Sequence, residues 1–453
     1  MESRRDFLKK MSAGSAAMMI GGAGLDLSAR SYSRVIGAND KVRVGIVGYS
    51  DRFRSSLLPC FVAHAKELNF EYVGISDIWS VRRDEGKAFI REKTGWDLAT
   101  WRNNEEMYDK NAIDAVVIST ADFQHAMHLT EAAKAKKDAY CEKPLGETMD
   151  DVNETLKACK ASNIVVQIGS QRRSVASYHA AYDYINSGKF GDIVMVEMTW
   201  NVNQPGRWRR VRECSQIRKE DTDWTRYQMN RPKVNWDPRI YLEFRLFWPY
   251  SSGIPGQWMA HQIDTVHWFT GLAYPRSVVA NGGVYQWKDG RTNADTLTAV
   301  FDYGPDNDLT KGFQVVYSSR FSNSAGGTKE LYYSNAGMLN LDTNEINSNG
   351  GLREREAAAM GLKENLLPTS TLSKTEAIVI EANTGGDNST SMHMRNWMQC
   401  VRARNVKTNA PIEAGHSHTI ACSMANAAYR TGLRVTYDPK KQQIMAGGKA
   451  FKY

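Results

Sequence analysis

The chain has 453 residues, 42% hydrophobic and 24% charged, which is enough for two or three domains of ordinary folded composition. That excludes wholesale disorder, a collagen-like fibre and a multi-span membrane protein. A net charge of +8, from 58 basic against 50 acidic residues, argues only weakly for nucleic acid, and six cysteines with no CxxC pair or zinc-ligand spacing point neither to a disulfide scaffold nor to a metal site. The 12 Trp, 20 Tyr and 14 Phe suit a sugar-sized pocket, though core packing also uses such rings.

The chain begins MESRRDFLKKMSAGSAAMMIGGAGL. Arg4 and Arg5 precede a mildly apolar, Gly/Ala-rich stretch from Met11 to Leu25, too short for a convincing transmembrane helix. This resembles a twin-arginine export signal, assigned to residues 1–32. It implies delivery of a folded protein to the periplasm, outside a reducing cytoplasm. The alternative is a basic, frayed N-terminus.

Residues 38–165 read as one α/β domain. A β-branched strand, KVRVGIV, runs into Gly48, and a helix is expected from about Ser55 to Leu68. A second strand ends at Asp77, a charged helix follows from Val81 to Thr94, and a third strand ends at Thr120. A helix over His125–Ala135 and a strand ending at Glu142-Lys143-Pro144 complete the alternation, which predicts a parallel doubly wound sheet. Ligands of such sheets bind outside the carboxyl ends of the strands.

The dinucleotide fingerprint GxGxxG is damaged. The window reads Gly48-Tyr49-Ser50-Asp51-Arg52-Phe53, with Ser50 and Phe53 at two glycine positions and Asp51 where phosphates would approach. Asp77 partly compensates, since an acid at the end of the second strand holds a ribose hydroxyl and favours NAD over NADP. It lies 29 residues beyond Gly48, further than the usual ~20. A helix cap is the alternative role for Asp77.

At Glu142-Lys143-Pro144 the chain resembles the Gfo/Idh/MocA oxidoreductases, and the resemblance covers nearly the whole chain after the export signal. The segments Ser119-Thr120-Ala121-Asp122-Phe123-Gln124-His125, Gln167 to Arg173, Asn235 to Gly271, and His393 through Arg430 carry the same resemblance. It implies a Rossmann domain followed, over residues 166–437, by an α/β domain on an open, mostly antiparallel sheet. C-terminal helices would pack back on the Rossmann domain, with 438–453 a tail. It also implies NAD as cofactor, a sugar, cyclitol or glycoside as substrate, and a homo-oligomer. No nucleic acid, metal or stable membrane span is expected.

The resemblance makes Lys143 and His261 the catalytic pair, a base for the hydroxyl proton and a donor to the oxygen. Gly48, Ser50, Asp77, Thr120, Asp122, His125, Glu142, Lys143 and Gln171 become candidate cofactor contacts. Arg172, Gln257, Trp258 and Asp264 become candidate substrate contacts. Helical spacing puts Gln257, His261, Asp264 and Trp268 on one face, with Asp264 placed to orient the His261 ring, whereas His267 falls off this face and reads as structural. Gln257 stands where active members of the family often carry Asp; it can bond a sugar hydroxyl but cannot take its proton. Trp236, Trp248 and Trp287 are further stacking candidates, and Trp208-Arg209-Arg210-Val211-Arg212 reads as a solvated loop. Three readings follow: an NAD oxidoreductase, a glycoside-cleaving enzyme that oxidises, eliminates and re-reduces with one NAD, or a sugar-binding homologue without turnover.

Overall fold

The computed structural model describes residues 40–109, 113–361, 367–372 and 387–452. The expected export signal, residues 1–32, lies outside the described residues. Six short strands form the first sheet: β1 (Val42–Val47), β2 (Phe70–Ser76), β3 (Ala99–Trp101), β4 (Ala115–Ile118), β5 (Asp138–Cys141) and β6 (Val166–Ile168). Their order is β3-β2-β1-β4-β5-β6 and every pairing is parallel. The order reverses at β1/β4, which opens a crevice at the strand ends. β4 and β5 are buried throughout, as strands covered on both faces must be.

The longer helices between these strands are α1 (Leu58–Leu68), α2 (Ser80–Thr94), α3 (His125–Lys134) and α4 (Met149–Ser162). Thr148 caps α4 by accepting from Asp151 N, and left-handed Asn69, Gly95 and Asn163 close α1, α2 and α4. A wide π turn, Phe53–Leu57, precedes α1. Phe53 is fully buried there, its ring 5.3 Å from that of Tyr72 and 5.8 Å from that of Tyr49. The turn thus makes room for a ring where the fingerprint has its third glycine.

The second sheet has eleven strands: β7 (Ile193–Trp200), β8 (Ser277–Gly283), β9 (Thr296–Tyr303), β10 (Phe313–Arg320), β11 (Thr328–Ser334), β12 (Gly337–Asn340), β13 (Glu345–Asn347), β14 (Ser370–Thr371), β15 (Val435–Asp438), β16 (Gln443–Ala446) and β17 (Lys449–Ala450). The order is β14-β13-β12-β11-β7-β10-β9-β8-β15-β16-β17, antiparallel except for β7 against β10. Alternating burial along β9 and β10 shows one covered face and one facing outward. The segment expected as a tail instead supplies β16, β17 and the end of β15, because Ile444 buries its side chain and the β15–β16 register pairs Tyr437 with Ile444.

Three long helices join the halves: α5 (Ala260–Thr270), α6 (Asn388–Ala403) and α7 (Ile412–Thr431). α6 packs on α1, and α7, buried along nearly its whole length, packs on α4, α5 and β8. Among the described residues no helix is long and apolar enough to cross a membrane.

Candidate active site

A cavity of 610 Å³ opens at the carboxyl ends of β1, β2, β4 and β5 and is closed from the other side by β7 and the turn leading into α5. Gly48 lines it at φ +82°, and a Cβ there would sit 2.6 Å from Thr120 Cγ2, so only glycine keeps this turn against β4. Ser50 turns its hydroxyl inward, donating to Ser119 Oγ at 3.2 Å and accepting from Phe53 N at 3.2 Å, so it caps the helix start. Asp51 is neutralised by Arg82 at 3.2 Å and by Arg210, which removes the repulsion its charge would offer a pyrophosphate. Asp77 lines the cavity, its carboxylate accepting from Tyr49 N at 2.8 Å and Trp79 N at 2.9 Å. Burial raises its pKa.

Two buried polar atoms on the wall, Thr120 Oγ1 and Gln171 Nε2, have no hydrogen-bond partner among the described residues. Lining a cavity, they are placed where a bound ligand would complete them. With the Gly48 cradle and Asp77, they fit a dinucleotide. Glu142 also lines the cavity, its Oε1 accepting from Arg52 Nε at 3.0 Å. His125 clips two strand-end loops together, its Nδ1 2.7 Å from Pro144 O and its Nε2 3.2 Å from Thr120 O.

At the other end Lys143, Gln257, Trp258 and His261 converge. The π turn Pro255–Met259 feeds directly into α5 and swings Gln257, Trp258 and His261 onto one wall. Lys143 Nζ donates to the Gln257 carbonyl oxygen, and burial lowers its pKa to about 8. The His261 pKa falls well below the usual range, first through burial and then through the Lys143 and Arg172 charges, so the imidazole is neutral. Its ring makes no hydrogen bond among the described residues and lies 5.8 Å from the Trp200 ring, which stacks in turn on Trp258 at 5.7 Å.

Two candidates leave the site. Asp264 is 1% exposed and does not line the cavity. Its carboxylate takes two hydrogen bonds from Arg173, and it lies 3.9 Å from His418 rather than against the His261 ring. The buried ion pair with Arg173 holds it in the core. Asp122 is fully buried beneath the cavity, accepting from Ser251 Oγ at 2.7 Å and from Gln257 Nε2. Gln257 is committed as well, since its Oε1 accepts from Arg245 Nε at 2.8 Å. Its amide ties Arg245 to Asp122, with one donor and one lone pair left over on the cavity wall. Arg172 lines the cavity but pairs with buried Glu330.

Among the tryptophans Trp258 lines the cavity, while Trp236 packs on Trp224, Trp248 lies under Arg430, and Trp287 donates to Phe321 O. The structure adds Trp200, Arg207, Arg210 and Arg245 to the wall. Arg210 comes from the run expected to be a solvated loop. Only the fold shows that this loop crosses the cavity mouth. His267 is structural as expected, bonded to Tyr303 OH and Ser417 Oγ, both at 2.8 Å.

Residues 42–170 match the model of the Gfo/Idh/MocA family, an oxidoreductase family with an NAD-binding Rossmann fold. An uncharacterized oxidoreductase of Streptococcus pneumoniae is 28% identical over 130 residues, 28% of this chain and 35% of that protein. Myo-inositol 2-dehydrogenase of Thermotoga maritima is 26% identical over 125 residues, 28% of this chain and 36% of that one. The chain thus spans about a third of the length of the curated relatives it matches. The WlbA dehydrogenase from Bordetella pertussis, solved with NADH and UDP-GlcNAcA, superposes with a TM-score of 0.61 at 16% identity over 88% of this chain and 99% of that one. Levoglucosan dehydrogenase, solved with NADH and levoglucosan, gives 0.59 at 15% identity over 88% and 99%. At such identities the likeness is one of fold. Residues 42–170 thus match an NAD-binding Rossmann model, and the parallel six-stranded sheet formed within them has that fold.

Proposed function

We propose that the chain is an exported NAD-dependent oxidoreductase that oxidises a secondary alcohol of a sugar, cyclitol or glycoside. The observation that carries this reading is the convergence of Lys143, from the end of a Rossmann strand, and His261, from a helix of the second domain, on one cavity wall. Bound NAD, held along Gly48, Asp77, Thr120 and Gln171, would supply the hydride acceptor. Lys143 takes the hydroxyl proton: its lowered pKa leaves a share of neutral amine at mildly alkaline pH, and its bond to the Gln257 carbonyl fixes Nζ while a lone pair stays free. His261, neutral and otherwise unbonded, holds the substrate oxygen. Trp200, half-buried on the cavity wall and backed by Trp258, offers the sugar an aromatic surface.

A second reading, glycoside cleavage by oxidation, elimination and re-reduction, uses the same wall. It is favoured over direct hydrolysis because Glu142, the carboxylate beside Lys143, is held by Arg52, and Asp122 lies buried under the cavity. Direct hydrolysis needs two carboxyl groups flanking the bond.

The test is to purify the protein, search it by mass spectrometry for nicotinamide, and assay it on a panel of sugars and chromogenic glycosides. Net NADH formation on a sugar supports the oxidoreductase, and aglycone release without net NADH supports the second reading. NAD binding with neither activity points to the sugar-binding homologue without turnover and overturns both.

A further inference from the structure

The cavity wall carries seven arginines, and their partners divide them. Arg52 faces Glu142, Arg82 and Arg210 face Asp51, Arg172 faces Glu330, and Arg226 faces Glu105. Arg245 has Asp122 at 3.8 Å. Arg207 alone has no carboxylate within ion-pairing distance among the described residues. Its Nη1 donates to Gln204 Oε1 at 2.8 Å, and its Nε is shielded from solvent without a partner. The guanidinium lies 5.4 Å from the centroid of the Trp258 ring, at the Lys143–His261 end.

A half-buried cation without a counter-charge costs stability, and its surroundings make matters worse. Burial and the like charges of Arg245 and Arg210 all act against the charged form of Arg207. Arg207 lies over Trp258, on the second domain's wall and not on the Gly48 loop assigned to the cofactor. With Nη1 tied to Gln204, the edge formed by Nε and Nη2 is left over. That edge matches the two oxygens of a carboxylate.

We infer that Arg207, backed by Arg245 and seated on Trp258, binds a carboxylate on the substrate, so that the favoured substrates are acidic sugars of the uronic type. This rests on the sugar-oxidoreductase reading of the same cavity and narrows it. The carboxylate meets the arginine edge, which fixes the orientation of the sugar before Lys143.

The experiment is calorimetric titration of the NAD-loaded protein with the methyl glycosides of glucuronic, galacturonic and mannuronic acid. Each is compared with its own methyl ester, with the neutral glycoside and with that glycoside's primary sulfate. For at least one sugar the acid should bind about 10–100-fold more tightly than its ester, the range for one charge-assisted pair. In Arg207→Gln that ratio should collapse towards one, and Arg207→Lys should keep part of it; NAD affinity measured alongside reports that each variant is folded. Equal binding of acid and ester, a preference that survives Arg207→Gln, or a sulfate bound better than the carboxylate each overturns the inference. Neutral sugars that bind and turn over with no acid preference sink this inference alone. NAD binding with no sugar bound at all sinks the parent reading too.

Discussion

Arg173 grips Asp264 edge-on, Nε to Oδ2 at 2.8 Å and Nη2 to Oδ1 at 3.0 Å, and both side chains are almost wholly buried. The pair pins the turn Gln171–Ser174, which follows the last Rossmann strand, to α5, which carries His261. The Arg173 guanidinium, bonded to both carboxylate oxygens, holds the Asp264 carboxyl well below its usual range despite the desolvation that burial imposes. Removing the acid strands a buried cation. Asp264→Ala should therefore cost about 3–5 kcal/mol in a urea melt, whereas a ligand-only role would leave stability untouched.

Lys143 works as a base only when deprotonated. With its pKa lowered to about 8, turnover should rise with pH up to a limb near that value and then level off. Lys143→Met should abolish the limb and lower turnover about 10²–10⁴-fold, with NAD affinity nearly intact. A pH profile unchanged in the variant would move the proton transfer elsewhere. His261→Ala should lower turnover by a similar factor. Gln257→Asp, attractive from the sequence as the restoration of a carboxylate, should instead impair the protein, because the new charge would face Asp122.

Asp77 should prefer an unphosphorylated ribose. Asp77→Ala should weaken NAD binding by about tenfold or more and narrow the gap between NAD and NADP, both read by fluorescence titration. Since Asp77 also anchors Tyr49 N and Trp79 N, Asp77→Asn serves as the size-matched control. Wild-type protein that binds NADP more tightly than NAD would refute the assignment.

Stability should fall as the pH drops below about 6.5. Burial depresses His267 to about 3 and His393 to about 4, so the unfolded chain binds their protons first and draws the equilibrium its way. Each contributes stability in full above the unfolded value, lost at about 1.4 kcal/mol per pH unit on the way down. Urea midpoints measured from about pH 7.5 to about pH 5 check the sign, and in His393→Gln the slope should be shallower.

Export predicts its own failure. Changing Arg4 and Arg5 together to Lys should strand the precursor in the cytoplasm, read by cell fractionation. Undiminished periplasmic delivery would remove the twin-arginine reading.

The Rossmann half was legible because periodicity and turn chemistry are local. β-Branched runs ending at Gly48, Asp77, Thr120 and Lys143 mark strands whose ends must meet in a parallel sheet, whatever else the chain does. The weakened glycine signature misled only in part. A sequence shows Ser50 and Phe53 as lost glycines and Asp51 as an unwelcome charge, but it does not show Arg82 and Arg210 cancelling Asp51 or a π turn making room for Phe53.

By itself the sequence determined the alternating strands and helices, the residues at the strand ends, and the pairing of a lysine with a distant histidine through family resemblance. Tertiary structure decided which polar groups face the cavity and which are consumed beneath it. Helical spacing assigned Asp264 to the His261 face, yet its buried ion pair with Arg173 holds it in the core. Arg207 and Arg245 are separated by 38 positions and sit in segments with no motif, so nothing local announces that they share a wall with Trp258. Burial and charge pairing depend on contacts between segments far apart in the chain, and those contacts exist only once the two sheets have closed on each other.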